Sequence, residues 1–220
     1  NFCLDILKTL GIHKENLRYR DHAKEELSFY SKATTDIEYL FPMGWGELWG
    51  IADRTDYDLG VHMEHSGVDL RYLDPDTNEK YLPYVIEPSV GLDRLLYAIL
   101  VDAYTKETLD NGEVREVLKI HPALAPIKVT ILPLIKKVHG DKAMDLYGDL
   151  AKYFMCTMDT SGSIGKRYRR SDAVGTPLCI TVDDETINND TVTIRDRDTM
   201  EQITLPISEL KDYIENVIKF

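Results

Sequence analysis

Charged side chains are grouped where an apolar strand would turn into an apolar helix, and this position could bind an anion. Residues 87–94 read Glu-Pro-Ser-Val-Gly-Leu-Asp-Arg and follow a strand-like run over 81–86. The first turn of a helix has free N–H groups and a positive field, which favour a phosphate or carboxylate. Glu87, Asp93 and Arg94 are costly at such a junction unless they pair or face a ligand. The residues alone leave a structural ion pair equally open.

The elements that must position these side chains are a mostly antiparallel sheet and one helix. The helix over 91–104 is apolar almost all round, which predicts that it is buried. An amphipathic helix is predicted over 1–10, strands over 16–20, 36–41, 47–53, 68–73 and 80–87, and a further helix over 57–65. Strict alternation along 47–53 places Leu48, Gly50 and Ala52 on one face and Glu47, Trp49, Ile51 and Asp53 on the other.

The second half of the chain alternates strands with helices. Strands are predicted over 127–132, 178–183 and 191–196, and helices over 141–155, 162–173 and 207–218. The helix over 141–155 would turn these side chains inward: Met144, Tyr147, Leu150, Ala151 and Phe154. The charged segment 105–118 lacks periodicity and is interpreted as a surface connection. The fold class is therefore α+β followed by an α/β unit with a mixed or parallel sheet, divided as 1–119 and 120–220.

Composition excludes some classes of protein. The chain has 220 residues, of which 43% are hydrophobic, and no apolar run approaches the ~20 residues that cross a bilayer. Three widely spaced cysteines and six histidines show no metal-ligand spacing, so we expect reduced thiols and no zinc site. The net charge of −12 argues against a nucleic-acid binder. The acid is concentrated in residues 1–119, however, and residues 166–170 form a local basic cluster.

Several segments carry a resemblance to a known family. Residues 87–94 resemble motif 3 of the class II aminoacyl-tRNA synthetases, in the form found in glycyl-tRNA synthetases of the dimeric kind. Residues 34–39 and 44–59 agree, as do 124–129 with 162–170, and 192–202. The resemblance runs along nearly the whole chain and fails only near 105–115. It implies the end of a class II catalytic domain followed by an anticodon-binding domain.

The resemblance implies an ATP site with two catalytic residues, Arg94 and Glu47. Arg94 would contact the ATP phosphates, and Glu47, followed by Leu48, would meet ATP and its Mg²⁺. Three further residues would line the nucleotide: Gly91, Leu92 and Asp93. A structural alternative remains open for Glu47, which could instead pair with Arg54 in the core.

The same resemblance implies a site for glycine. Glu87 would accept a hydrogen bond from the ammonium and Ser89 would add another, while Pro88, Val90 and Gly91 would complete the pocket, with Pro88 and Val90 crowding out larger side chains. Arg54 is a candidate for the glycine carboxylate or a phosphate. Its alternative role is a salt bridge to Asp53, Asp56 or Asp58.

The basic cluster implies contact with tRNA. The candidate residues are Lys166, Arg167, Arg169 and Arg170, and Tyr168 among them would suit base stacking. The alternative is a solvated helix face that pairs with Asp172 and with the acidic first half. The alternating charges over 195–198 are expected to pair across strands.

Taken together, the resemblance implies a cytoplasmic ligase that uses ATP with Mg²⁺ to attach glycine to tRNA(Gly), acts as a homodimer and has no membrane contact. Motifs 1 and 2 of the family have no counterpart here, so we expect this chain alone to lack half of the active site and to be inactive. Two alternatives stay open: a non-catalytic paralogue that binds tRNA or protein, and a class II synthetase for threonine, proline or histidine.

Overall fold

The computed structural model describes residues 1–220, which divide into two compact units, Asn1–Val101 and Asp102–Phe220. The first unit is built on a four-stranded antiparallel sheet in the order β1-β2-β3-β6. Its elements are α1 (Phe2–Thr9), β1 (Leu17–Asp21), β2 (Ala33–Phe41), β3 (Gly44–Asp53), α2 (Tyr57–Ser66), β4 (Tyr72–Leu73), β5 (Lys80–Tyr81), β6 (Ile86–Val90) and α3 (Leu92–Ala103), whose last two residues belong to the second unit.

The helix α3 is less buried than its composition predicts. Ala98 and Ile99 are buried, whereas Leu92 is 77% and Leu96 is 53% exposed. Phe41 of β2 stacks on Tyr97 with 5.6 Å between ring centroids. The helix thus buries one stripe, and no second layer covers its other side in this chain. The prediction of a helix buried all round is wrong because apolar composition does not fix how many faces find a partner.

The second unit is built on a five-stranded mixed sheet in the order β10-β9-β11-β12-β13, in which β9 pairs in parallel with β10 and β11. β12 pairs antiparallel with β11 and with β13. The elements are β7 (Tyr104–Thr108), β8 (Val114–Leu118), β9 (Val129–Pro133), α4 (Lys136–Leu150), β10 (Cys156–Met158), α5 (Ile164–Ala173), β11 (Leu178–Val182), α6 (Asp184–Asn189), β12 (Thr191–Asp196), β13 (Gln202–Pro206) and α7 (Leu210–Val217). The predicted fold class is confirmed.

Several details of the second unit differ from the sequence-based expectation. Residues 104–118 form a hairpin of β7 and β8 rather than an irregular connection, and the compact units divide after Val101. The helix α4 begins five residues earlier than predicted and buries His139, Ala143 and Leu146, while Met144 is 51% exposed. None of the helices is long and apolar enough to span a membrane.

Candidate functional site

One face of the first unit's sheet is polar across all four strands. Arg20 of β1 is opposite Asp36 of β2, Asp36 is opposite Gly50 of β3, and Gly50 is opposite Ser89 of β6. Side chains of directly opposed residues share a face, so this row of four lies on one side of the sheet. Glu87 belongs to the same face, two residues before Ser89.

A β-bulge brings Glu47 to this face. The register of β2 with β3 shifts between Ile37 and Glu38, so that Glu38 is opposite Glu47 while Asp36 remains opposite Gly50. The carboxylate of Glu47 reaches over Gly50: its Oε1 is 3.4 Å from the position that a Cβ on Gly50 would take. Strict alternation placed Glu47 on the face opposite Gly50, and this is wrong because the bulge adds one unpaired residue to β3.

Arg94 contacts Glu47 near the start of β3. The guanidinium of Arg94 donates from Nη1 to the Glu47 carbonyl oxygen at 2.7 Å, and both residues line an open cavity of about 310 Å³. Its other lining residues are Phe41, Met43, Gly44, Trp45, Gly46 and Tyr97. The Glu47 carboxylate is exposed and has no hydrogen-bonding partner in the protein. Arg94 is also exposed, so the cavity offers a cation and an anion to a ligand.

The other residues implied for ATP are placed less uniformly. Gly91 lies before the first turn of α3, and Leu95 donates its N–H to the Gly91 carbonyl at 2.9 Å. Leu92 and Asp93 are exposed in that turn. Leu48 is buried, with 2% of its surface exposed. A buried Leu48 side chain does not line an open site, so only its backbone remains a candidate contact.

Glu87 is held by Arg54. Nη1 of Arg54 donates to Glu87 Oε2 at 2.7 Å, while Nε and Nη2 fork onto Asp58 at 2.7 and 2.9 Å. The guanidinium lies 4.0 Å from the ring centroid of Tyr30. Its hydrogen bonds lower the pKa of Asp58 and raise the pKa of Arg54 itself, with the bond to Asp58 as the largest cause.

The salt-bridge alternative for Arg54 is formed in the structure. Each of its three guanidinium nitrogens donates one hydrogen bond, two to Asp58 and one to Glu87. Arg54 therefore orients Glu87, and its contact with a glycine carboxylate or a phosphate stays a prediction. Glu87 Oε1 makes no hydrogen bond within the protein, and the side chain is 43% exposed. The structural alternative for Glu47, a pairing with Arg54, is not formed.

Pro88 and Val90 do not share the polar face. They are opposite Ile51 and Trp49 of β3, whereas Glu87 and Ser89 are opposite Ala52 and Gly50. Alternation along β6 thus directs Pro88 and Val90 away from Glu87 and Ser89. Their side chains therefore do not lie beside those of Glu87 and Ser89, and their part in a glycine pocket stays a prediction.

The basic cluster of the second unit is only partly available to a ligand. Arg167 is 5% exposed, and its guanidinium donates to the carbonyls of Pro133 and Gly162 at 2.7 Å each. Tyr168 donates or accepts a 2.7 Å hydrogen bond with Thr181, and its ring packs under Arg195 at 4.8 Å. Both side chains are used within the fold, and their part in a tRNA-binding surface stays a prediction.

Lys166 and Arg169 remain on the surface of α5. They line an open cavity of about 410 Å³ together with Glu113, Ser163, Gly165, Tyr168, Arg195 and Met200. Arg169 lies 3.8 Å from Glu113 of the hairpin. Arg170 is exposed but forks onto Asp159, with Nε at 2.9 Å. Of these surface cations, Lys166 has no ion pair, and Arg169 has only the 3.8 Å contact with Glu113.

A buried ion network in the second unit was not foreseen. Asp172, fully buried, accepts from Arg115 Nε at 3.1 Å and from Arg195 Nη1 at 2.8 Å. Arg115 also donates to Glu107 at 3.0 Å and to the Arg197 carbonyl. The alternating signs over 195–198 carried a signal for it. However, Arg195 and Arg115 lie 23 and 57 residues from Asp172 along the chain. Pairings at that separation cannot be read from local spacing.

The matching family model covers part of the second unit, whereas the matching relatives cover both units. Residues 128–217, within the second unit, match the family model described as an anticodon binding domain. The whole chain is 62% identical over 220 residues to the glycine–tRNA ligase of Clostridium tetani, and 60% identical over 219 residues to that of Geobacillus thermodenitrificans. The match to the ligase of Caldanaerobacter subterraneus is also 60% identical over 219 residues. Over its whole length, the chain therefore matches part of these glycine–tRNA ligases.

The matched region of these ligases is their C-terminal part. The chain spans about half of their length, 47% of each, while the matches cover all of the chain itself. The polar face with its Arg94–Glu47 contact lies outside the region matched by the anticodon-binding model, and the surface of Lys166 and Arg169 lies inside it. The resemblance inferred from the motifs is confirmed for both units.

Proposed function

We propose that the full-length ligase carrying this chain activates glycine with ATP and transfers it to tRNA. The observation that supports this most directly is the first unit's polar face. There, the Glu47 carboxylate, Glu87 Oε1 and the Ser89 hydroxyl have no hydrogen-bonding partners within the protein. The exposed Arg94 lies next to Glu47 and bonds only its carbonyl oxygen. Polar groups kept on one sheet face without internal partners are suited to a polar ligand.

In this proposal, ATP binds at the cavity beside α3. Arg94 contacts the phosphates through the nitrogens that do not bond the Glu47 carbonyl, and Glu47 accepts from the nucleotide or from its Mg²⁺. The structure has no group of three His, Cys, Asp or Glu side chains arranged around a metal ion. One free carboxylate fits an Mg²⁺ that keeps most of its oxygen ligands from phosphates and water. That ion would neutralise phosphate charge.

Glycine binds on the polar face in this proposal. Glu87 Oε1 accepts from the ammonium while Oε2 stays on Arg54, and the Ser89 hydroxyl adds a further hydrogen bond. Held in this way, the glycine carboxylate attacks the α-phosphate and pyrophosphate leaves. Arg94 stabilises the charge of the phosphates, and the carboxylates fix the nucleophile's position.

We further propose that the second unit binds tRNA(Gly) through Lys166 and Arg169, with Arg170 contributing if Asp159 releases it. The match to an anticodon binding domain supports this assignment. The ligase would act as a homodimer in the cytoplasm, which sedimentation of the full-length protein and localisation of a tagged copy would test.

The test of activation is ATP–pyrophosphate exchange by the full-length ligase, measured with each amino acid in turn. We expect exchange with glycine alone. Replacing Arg94 by alanine should slow exchange by about 10²–10³, because a contact that stabilises transition-state charge is worth that factor. Arg71→Ala is the matched control, since Arg71 is exposed and pairs with Asp69 away from the polar face. Exchange with another amino acid would reject the assignment to glycine.

A further inference from the structure

The centre of the polar face is a hollow floored by two small residues. Gly50 and Ala52 are opposite Ser89 and Glu87 of β6, and on the other side Gly50 is opposite Asp36 of β2. Every other position of this face near the hollow carries a longer polar side chain. A small ligand lying over Gly50 would therefore touch side chains from three strands.

Two carboxylates converge over Gly50. Glu47 Oε1 and Asp36 Oδ1 lie 3.4 and 3.7 Å from the point where a Cβ on Gly50 would sit. Asp36 is 5% exposed and is oriented from its β1 side by His22, whose Nε2 is 2.7 Å from Asp36 Oδ2. Arg20 approaches the same oxygen at 3.7 Å. The oxygen Oδ1 is thereby left on the side of the hollow.

The charges around the hollow select a small cation. Glu47 has no cationic partner, and Arg20 and His22 approach Asp36 at Oδ2, whereas Oδ1 is the oxygen near Gly50. Glu87 adds a third carboxylate from β6, diagonal to Gly50. Like charges gathered around one point are stabilised when a cation lies between them. An ammonium group fits, because it needs acceptors on several sides and no fixed coordination geometry.

We propose that Gly50 and Asp36 belong to the glycine-binding site, Gly50 as its floor and Asp36 as a second acceptor for the ammonium group. This inference rests on the proposed glycine activation. Gly50 lets the substrate's ammonium and α-carbon approach the sheet, which a side chain at this position would prevent. Asp36, positioned by His22, is an ammonium acceptor that complements Glu87.

The first test is Gly50→Ala in the full-length ligase. A methyl group would meet Glu47 Oε1 at 3.4 Å, an ordinary contact, so the sheet is kept while the hollow is filled. We expect the KM for glycine in ATP–pyrophosphate exchange to rise by about tenfold or more, the effect of one methyl-sized misfit in a pocket. The KM for ATP should stay within about twofold of the wild-type value. Gly60→Ala in α2 is the control, since a methyl group there would meet the Leu82 side chain at 3.7 Å.

The second test is Asp36→Asn, which keeps the size of the side chain and a hydrogen bond to His22 but removes the charge. The KM for glycine should again rise about tenfold or more, since a hydrogen bond to a charged group is lost. The rate constant kcat should change less than KM does. Asp21→Asn is the matched control, because Asp21 also bonds across to β2, at Thr35, but on the opposite face of the sheet.

The outcomes separate the two proposals. Wild-type ligase without glycine-dependent exchange would reject the proposed function itself. Active wild-type ligase whose KM for glycine is unchanged by Gly50→Ala and by Asp36→Asn would overturn the inference about Gly50 and Asp36 alone. Tryptophan fluorescence checks folding, since Trp45 and Trp49 both lie in β3. If Asp36→Asn fails to fold, the KM of Gly50→Ala decides.

Discussion

Asp172 of the second unit and Glu47 of the first are both carboxylates close to an arginine, but only the Asp172 carboxylate is neutralised. Both of its oxygens accept from guanidinium groups of Arg115 and Arg195, and no part of the side chain is exposed. The arginine next to Glu47 gives its hydrogen bond to the Glu47 carbonyl instead, which leaves the carboxylate exposed and unpaired.

The difference shows how each unit uses charge. In the second unit the buried charges join the β8 strand, α5 and β12 and are satisfied by one another, so they specify the fold. On the polar face of the first unit, Arg54 satisfies only one oxygen of Glu87, and Glu47 is left without a partner. Charges that remain unpaired after folding are free for a ligand, whereas a fully paired cluster has none to offer.

The largest expected effect comes from breaking the neutralised cluster. Asp172→Ala should lower the free energy of unfolding by about 3–5 kcal/mol, because two buried arginines lose their partner. Urea unfolding followed by circular dichroism measures this. Asp149→Ala, which removes an exposed carboxylate from its pair with Lys152, is the control and should cost about 1 kcal/mol or less. A loss for Asp172→Ala no larger than the control's would show that the buried network adds nothing to the fold.

A smaller effect is expected for Arg54, which pairs with Asp58 and also holds Glu87 on the polar face. Arg54→Ala should lower the free energy of unfolding, since charged hydrogen bonds to Asp58 and Glu87 disappear. Both tryptophans lie in the first unit, so urea unfolding by tryptophan fluorescence reports on that unit. Arg71→Ala removes an equivalent fork onto Asp69 from a more exposed site and should cost less. Equal losses would mean that the partial burial of Arg54 has no energetic weight.

Lys166 and Arg169 are the surface cations of the second unit that could contact RNA phosphates. Replacing Lys166 and Arg169 together by alanine should weaken binding of tRNA(Gly) to the chain and lower its log–log salt dependence by about one unit for each lost phosphate contact. Replacing Lys211 and Lys219 of the C-terminal helical region removes the same charge elsewhere on this unit. Titrations at several salt concentrations that give one slope for both double variants would show that the effect is net charge alone.

Sequence patterns predicted much of the fold because its strands and helices carry regular hydrophobic periods. The helix over 57–65 is observed at Tyr57–Ser66, and the strand over 191–196 is observed at Thr191–Asp196. The hairpin of β7 and β8 was missed because its residues break the usual alternation: Val114 is exposed, whereas Arg115 is buried beside Val117. The three-residue strand β10 gives no period at all.

The site was predicted less completely, for two physical reasons. A bulge shifts register without any sequence mark, so the face on which Glu47 lies could not be read from alternation. The availability of a cation depends on its partners: Arg167 and Arg169 look alike in sequence, but backbone carbonyls engage Arg167 in the interior. The assignments of Arg94, Glu87 and Ser89 came from a resemblance to a family and remain proposals.

The smallest expected effect concerns the contact between the hairpin and the surface cations. Glu113 Oε2 lies 3.8 Å from Arg169 Nη2, and both side chains reach solvent, so the pair contributes at most about 1 kcal/mol. Glu113 nevertheless competes with phosphate for Arg169, so Glu113→Gln should raise the affinity for tRNA(Gly) a few-fold at low salt and leave unfolding unchanged within about 0.5 kcal/mol. Glu185→Gln is the control, because it removes the same charge from α6 and the Glu185 side chain bonds only Asn189. An equal gain from both variants would attribute the effect to net charge, whereas a gain confined to Glu113→Gln would establish that the hairpin weakens RNA binding through Arg169.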